Sequence, residues 1–346
     1  MIKIDRKIID FKSPTYLIGE IGINHNGKIK NVYKLIDLAK ESGFDAVKFQ
    51  TYKTELLIHK NNTAAKYQKT KGFKDQYSML KKFEISFNNF EKIFNYCKKK
   101  KITFLSTPFD QESAFFLKDL NLSAYKISSG DLDNYHLVDL IKTFNKPIIL
   151  STGMTDRINL QRVIKDHGFN KKKLILLHCI SDYPTILKET NLGYLQLFKK
   201  TGFVYGFSDH TTSNTAALSA ISLGAKVIEK HITLSRNMHG PDHSCSLEAK
   251  NFKGFIEQIK NLEISLSQNE RLLSNNEIKN KEVTERKLFF RYNFKKNHKI
   301  NFTDLLPMRS NYKMGIKANK YRILINKRLS KDVKKFQLIK WELLKK

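Results

Sequence analysis

Eight short runs of Ile, Val, Leu and Phe, each followed by a longer segment of helical period, restrict this chain to few architectures. Runs that are apolar throughout, not alternating, suit parallel strands buried on both faces. They fall at 16–24, 46–52, 103–109, 124–129, 147–154, 173–181, 204–210 and 227–234. Between them, residues 30–42 place Val32, Leu35, Ile36, Leu38 and Ala39 on one stripe and stop at Gly43, a natural left-handed C-cap. Residues 212–223 stop in the same way at Gly224. Eight strand–helix pairs predict an α/β fold, a (β/α)8 TIM barrel, with its reactive groups at the C-terminal ends of the strands.

A last barrel helix over 248–266 sets the first domain at 1–266. Residues 267–285 are polar without apolar periodicity and read as a linker. Residues 286–346 carry short apolar pieces between Gly and Asn, which predicts a small β-rich module. An insertion at roughly 54–86 separates the second strand from its helix and is expected to lie over the barrel mouth as a lid or substrate loop.

At 346 residues and 40% hydrophobic, the chain can bury a large core. No stretch has the roughly 18 uncharged apolar residues that a membrane helix needs, so no membrane partner is expected. The opening residues carry scattered charges and no apolar leader-like run, and Cys97, Cys179 and Cys245 show no CxxC spacing, so a reducing cytoplasm is expected. The net charge is +30, and residues 285–346 hold 19 Lys and Arg against 4 Asp and Glu. No zinc-finger, RRM or helix-turn-helix signature accompanies that excess, which argues against specific nucleic-acid binding. An anionic substrate accounts for part of it and solvated lysines for most.

The strand ends carry the chemistry. In chain order they offer Glu20 and Asn24, Lys48 and Gln50, Ser106 and Thr107, Lys126 with Ser128 and Ser129, Ser151 and Thr152, Ser181, Ser208 and His210, and finally Glu229 and His231. Singly, each has an ordinary reading: a strand-end His is commonly a hydrogen-bonded structural residue, and a strand Lys can snorkel to solvent. Together they describe lysines and hydroxyls able to hold a phosphate or carboxylate, beside two imidazoles on neighbouring strands that could open a divalent-metal site. Lys48 and Lys126 stand between apolar neighbours, where an unpaired charge would be costly.

The segments Gly19–Gly27, Lys48–Thr51, Ser106–Phe109, Tyr125–Gly130, Leu150–Met154, Leu177–Cys179, Ser208–His210 and Gly240–His243 resemble, in order, the signature blocks of the sialic acid synthase family. The C-terminal module likewise resembles the antifreeze-like, or SAF, domain of that family. The resemblance implies condensation of phosphoenolpyruvate with an N-acetylated amino sugar in its aldehyde form, giving a nine-carbon 2-keto acid and phosphate. It implies His210 and His231 as ligands of Mn2+, with Mg2+ or Co2+ as alternatives. It assigns phosphoenolpyruvate to Lys48, Thr107, Lys126, Ser129, Ser151, Ser181 and Ser208, the sugar to Glu20, Tyr183, Asp242 and Arg309, and proton transfer to Glu20 or a metal-bound water. It also implies a domain-swapped homodimer, each SAF domain capping the partner's barrel.

The sequence departs from the family at Met308-Arg309-Ser310-Asn311, where an Arg-Pro-Gly block is usual. Gly240-Pro241-Asp242-His243 followed by Ser246-Leu247-Glu248 resembles neuraminic and legionaminic acid synthases more than pseudaminic ones. His243 stays open between a sugar contact and a supporting role, and His25 is expected to be structural. Two other readings compete: a Schiff-base aldolase using Lys126 on pyruvate, and a non-catalytic basic carbohydrate- or nucleic-acid-binding protein.

Overall fold

The computed structural model describes residues 1–62, 75–267 and 270–345. They divide into two compact units, Met1–Ser267 and Gln268–Lys346.

In the first unit the eight apolar runs form parallel strands: β3 (Tyr16–Gly22), β4 (Ala46–Thr51), β5 (Thr103–Pro108), β6 (Tyr125–Ile127), β7 (Ile148–Ser151), β8 (Leu174–Cys179), β9 (Val204–Asp209) and β10 (Val227–Thr233). They hydrogen-bond in the order β5-β4-β3-β10-β9-β8-β7-β6, and β5 lies against β6, so the sheet comes round into a nearly closed (β/α)8 barrel. Every strand residue is buried except the half-buried Gln50, which explains the unbroken apolar runs. Outside, the helix Ile29–Ser42 buries Val32, Leu35, Ile36 and Ala39 and ends at Gly43, whose φ of 103° is open to glycine at little cost. At Gly206 in β9 a Cβ would press on the Val227 carbonyl, so only glycine lets β9 and β10 approach this closely.

The floor of the barrel is closed by a hairpin that the sequence reading did not find. Here β1 (Ile2–Ile4) pairs antiparallel with β2 (Lys7–Ile9), and Ile2, Ile4 and Ile9 pack against Ile18, Ala46, Leu105, Ile149, Ile175 and Val227 inside the barrel. Ile4 is fully buried there. Replacing it by Ala is expected to cost about 2–5 kcal/mol of stability, read as a lower denaturant midpoint. Substrate KM should not change, because Ile4 sits at the end opposite the reactive strand termini.

The insertion after β4 is described in part. Helices Thr54–Leu57 and Gln76–Phe83 flank residues 63–74, and that part of the expected lid lies outside the described residues. Leu57, Ile58, Met79 and Leu80 gather with Ile23, Tyr52 and Phe83 in a separate apolar cluster above the strand ends.

A two-residue strand, β11 (Leu247–Glu248), pairs parallel with β10 at the end of the first unit; in the second unit, β12 (Arg286–Phe290) pairs antiparallel with β13 (Leu305–Arg309) over a core that includes Leu288, Phe290, Ile300, Leu305, Ile316, Leu329, Val333 and Ile339. The stretch read as a linker contains a helix, Asn275–Thr284, with no buried residue. It starts in a capping box in which Ser274 and Glu277 satisfy each other's backbone N–H groups. A helix without buried residues has no apolar stripe to betray it.

Candidate active site at the strand ends

Side chains pointing into the barrel recur every second residue, and towards the strand ends these positions change from apolar to reactive. On β3, Ile18 gives way to Glu20; on β4, Ala46 to Lys48; on β5, Leu105 to Thr107. Ala124 precedes Lys126, Ile149 precedes Ser151 on β7, and Val227 precedes Glu229 and His231 on β10. The apolar positions meet the hairpin plug, and the reactive ones line a cavity of about 580 Å³.

Lys48 stands between two carboxylates, 2.8 Å from Glu20 Oε2 and 3.7 Å from Glu229 Oε2, with Thr107 Oγ1 at 3.4 Å. Burial works against its charge, but Glu20 and Glu229 more than restore it, so the ammonium is held above its usual range. The two carboxylates are driven apart. Burial raises Glu20 further than Lys48 lowers it. For Glu229 burial is outweighed by Lys48, Lys126 and a 2.9 Å hydrogen bond from Ser208 Oγ, and it is held ionised. A carboxyl inclined to keep its proton beside one inclined to lose it is an acid–base arrangement.

Lys126 differs. Its ammonium donates to Ser151 Oγ at 2.6 Å and to the Ile127 carbonyl at 3.0 Å, and no carboxylate forms an ion pair with it among the described residues. Burial accordingly pushes it below the usual lysine range. Ser129 lies nearby, its Oγ 3.1 Å from Cys179 Sγ and accepting from the Gly153 N–H at 2.9 Å. A Cβ at Gly153 would come within 2.9 Å of Ser129 Oγ and would also crowd Ser181. The glycine keeps this cradle of hydroxyls open.

The imidazoles of His210 and His231 lie 5.6 Å apart between centroids, with the Tyr183 ring 4.2 Å from the first and 5.7 Å from the second. Burial keeps both neutral, His231 well below its usual range. His210 Nδ1 contacts the Ile180 carbonyl at 2.6 Å, which fixes the proton there and leaves Nε2 its lone pair. Ser208 Oγ is 3.4 Å from that Nε2 but gives its proton to Glu229. His231 Nδ1 is buried without a hydrogen-bond partner among the described residues, with Asp242 Oδ2 at 3.9 Å. These unfilled lone pairs fit two ligands of a divalent ion. Among the described residues no group of three or more His, Cys, Asp or Glu is arranged around one point, so further ligands would come from substrate and water. Burial, with Glu20 nearby, pushes Asp242 up to about 7.

Glu20, Lys48, Thr107, Lys126, Ser129, Ser151, Ser181, Tyr183, Ser208, His210, His231 and Asp242 thus line one cavity. Arg309 lies in the second unit, exposed at the end of β13 opposite Arg286. His243 is held by Thr233 Oγ1 at 2.7 Å and Asn26 Oδ1 at 3.1 Å and does not line the cavity, which gives it a supporting role beside Asp242. His25 bonds the Gly27 N–H and is equally set back. Glu229 received no role from the sequence reading. Its signal was the period of two, which puts it on the same face as His231.

Buried cations, paired carboxylates and neutral imidazoles at the mouth of a (β/α)8 barrel define an enzyme that works on anionic substrates. Residues 35–271 match the NeuB family. N,N'-diacetyllegionaminic acid synthase of Campylobacter jejuni is 36% identical over 94% of this chain and 99% of its own length, and the Legionella pneumophila enzyme of that name is 33% identical over 94% of each. The crystal structure of N-acetylneuraminic acid (sialic acid) synthetase from Leptospira borgpetersenii superposes with a TM-score of 0.72 at 28% identity, covering 81% of this chain and 95% of that one. The chain belongs to the NeuB family, the sialic acid synthases that its strand-end motifs resemble. It is therefore a carbon–carbon bond-forming synthase, and neither the aldolase nor the non-catalytic binding reading is favoured. No helix among the described residues is long and apolar enough to cross a membrane.

Proposed function

We propose that this enzyme condenses phosphoenolpyruvate with the open-chain aldehyde of a 2,4-diacetamido hexose, releasing phosphate and forming a legionaminate-type nine-carbon 2-keto acid. The observation that carries the reading is Lys126, a buried cation with no ion-pair partner among the described residues, bonded to Ser151 in a cavity that Ser129 and Ser181 also line. A phosphate or carboxylate supplies the missing charge. Lys48, Thr107 and Ser208 complete the hold on phosphoenolpyruvate, and Glu20, Tyr183 and Asp242 take the sugar hydroxyls. His210 and His231 would hold Mn2+, with Mg2+ or Co2+ as substitutes, and such an ion supplies Lewis acidity at the aldehyde oxygen.

As C3 of phosphoenolpyruvate bonds to the aldehyde carbon, Glu20 gives its proton to the aldehyde oxygen, which becomes a hydroxyl. Water then adds to the electron-poor C2, and Glu229 takes the proton released. The C2–O bond to phosphate then breaks, phosphate leaves with the electron pair and takes up the proton of the C2 hydroxyl, and C2 becomes the ketone.

The sugar assignment draws on the two legionaminate-synthase relatives and on the Gly240–His243 block. Phosphate release with N-acetylmannosamine and with the 2,4-diacetamido hexoses that lead to legionaminate-type and pseudaminate-type acids tests it. A legionaminate-type hexose is expected to lead the others by at least tenfold in kcat/KM, and a lead for N-acetylmannosamine would overturn the assignment. We further read the protein as a cytoplasmic homodimer, in keeping with three unpaired, buried cysteines, with Arg309 of an SAF-like module serving the sugar's N-acetyl group in the partner's site. Mixing Arg309→Ala and His231→Ala proteins should then restore activity that neither shows by itself. No recovery despite subunit exchange would remove Arg309 from the site.

A further inference from the structure

A buried ion pair lies beside the two imidazoles, one residue from each along the chain. Lys230 and Asp209 are completely buried and 2.6 Å apart. Their neighbours Glu229, His231, Ser208 and His210 line the cavity, whereas they themselves do not, as alternation along a strand requires. Lys230 Nζ also donates to the carbonyls of Thr211 at 2.9 Å and Ser213 at 3.1 Å, so all three ammonium protons have acceptors. Asp209 uses its other oxygen to accept the Thr211 N–H at 2.8 Å.

This knot sits where the backbone ladder stops. Parallel pairing of β9 with β10 runs from Gly206 opposite Val227 to Asp209 opposite Lys230, and His210 lies one residue beyond the last pair. From there the two chains are joined by the Lys230 side chain, which ties down the residue before His210 and the turn after it, and which itself precedes His231. An apolar pair in this place would leave the Thr211 carbonyl buried without a donor, whereas the Ser213 carbonyl would keep the Thr211 hydroxyl.

We propose that Lys230 and Asp209 are positioning residues for the metal site, fixing the separation of the His210 and His231 imidazoles where the β9–β10 ladder no longer does so. This rests on those histidines holding a divalent ion. They touch neither substrate nor metal and act through the backbone on which the ligands are mounted. A generic stabilising role would lower the melting temperature and leave the affinity of a folded site unchanged. The positioning role instead singles out metal affinity.

The test is calorimetric binding of Mn2+ alone, and of phosphoenolpyruvate alone, to the full-length protein and its variants. Lys230→Met and the gentler Asp209→Asn are expected to weaken Mn2+ at least tenfold and severalfold respectively, with phosphoenolpyruvate changed by less than threefold. Lys126 and Lys48, the main anion-binding cations, stand on β6 and β4, away from the clamp. The core variant Leu160→Ala, expected to melt lower because it leaves a cavity, should bind Mn2+ like the wild type. If Lys230→Met does not fold, Asp209→Asn carries the comparison. Mn2+ affinity within twofold of wild type in a folded clamp variant, or an equal loss in Leu160→Ala, overturns the proposal. Failure of the underlying metal reading looks different: wild type and His231→Ala would then bind Mn2+ equally.

Discussion

His231→Ala is expected to fold normally and to lose roughly a thousandfold or more of its turnover, together with any response to added divalent ion. The fold should survive because His231 Nδ1 has no hydrogen-bond partner among the described residues, so truncation orphans nothing at that atom. The loss should be large because a metal ion contributes several kcal/mol to a transition state that gathers charge on oxygen, and each 1.36 kcal/mol is about tenfold in rate. Circular dichroism and a thermal melt check the first half, and phosphate release across a Mn2+ series checks the second. A folded variant with wild-type turnover would take His231 out of the reaction.

Lys126→Met should raise the KM for phosphoenolpyruvate by roughly ten- to a hundredfold while moving the sugar KM far less. A hydrogen bond to a charged group is worth about 1.5–3 kcal/mol, and 1.4 kcal/mol is tenfold in affinity. The partners of Lys126 in the structure, Ser151 Oγ and the Ile127 carbonyl, are neutral, so its charge is uncompensated by any direct ion pair until an anion arrives. Lys48 already pairs with Glu20 and Glu229, and its loss should disturb the acid–base pair as much as substrate binding. Equal losses for both substrates in Lys126→Met would show that the lysine supports the fold and not the anion.

The barrel was legible because its strands are buried on both faces, which writes them as unbroken apolar runs with polar residues only at one end. The same rule made most of the cavity legible: Glu20, Lys48, Lys126, Ser151, His210 and His231 all lie where an apolar run turns reactive. What stayed hidden has no such mark. The hairpin β1–β2 interleaves Ile2, Ile4 and Ile9 with Lys3, Asp5, Arg6 and Lys7, and a two-strand pair that short is recognisable only from the barrel floor it fills. The exposed helix Asn275–Thr284 owes its start to a cap, and its sequence gives no stripe. Glu229 and Lys230 were in view within the strand end that carries His231. Which of them faces the cavity and which locks onto Asp209 follows from alternation, yet a buried Lys–Asp clamp and a carboxylate lining the cavity look alike as letters.

Product analysis of a complete reaction tests the account most directly. Phosphoenolpyruvate, a legionaminate-type 2,4-diacetamido hexose, the full-length protein and Mn2+ should yield one phosphate and one nine-carbon 2-keto acid for each sugar consumed, none of either after chelation, and no borohydride-trapped pyruvate on Lys126. Phosphate release without sugar, undiminished product in the presence of a chelator, or a trapped Lys126 adduct would contradict it.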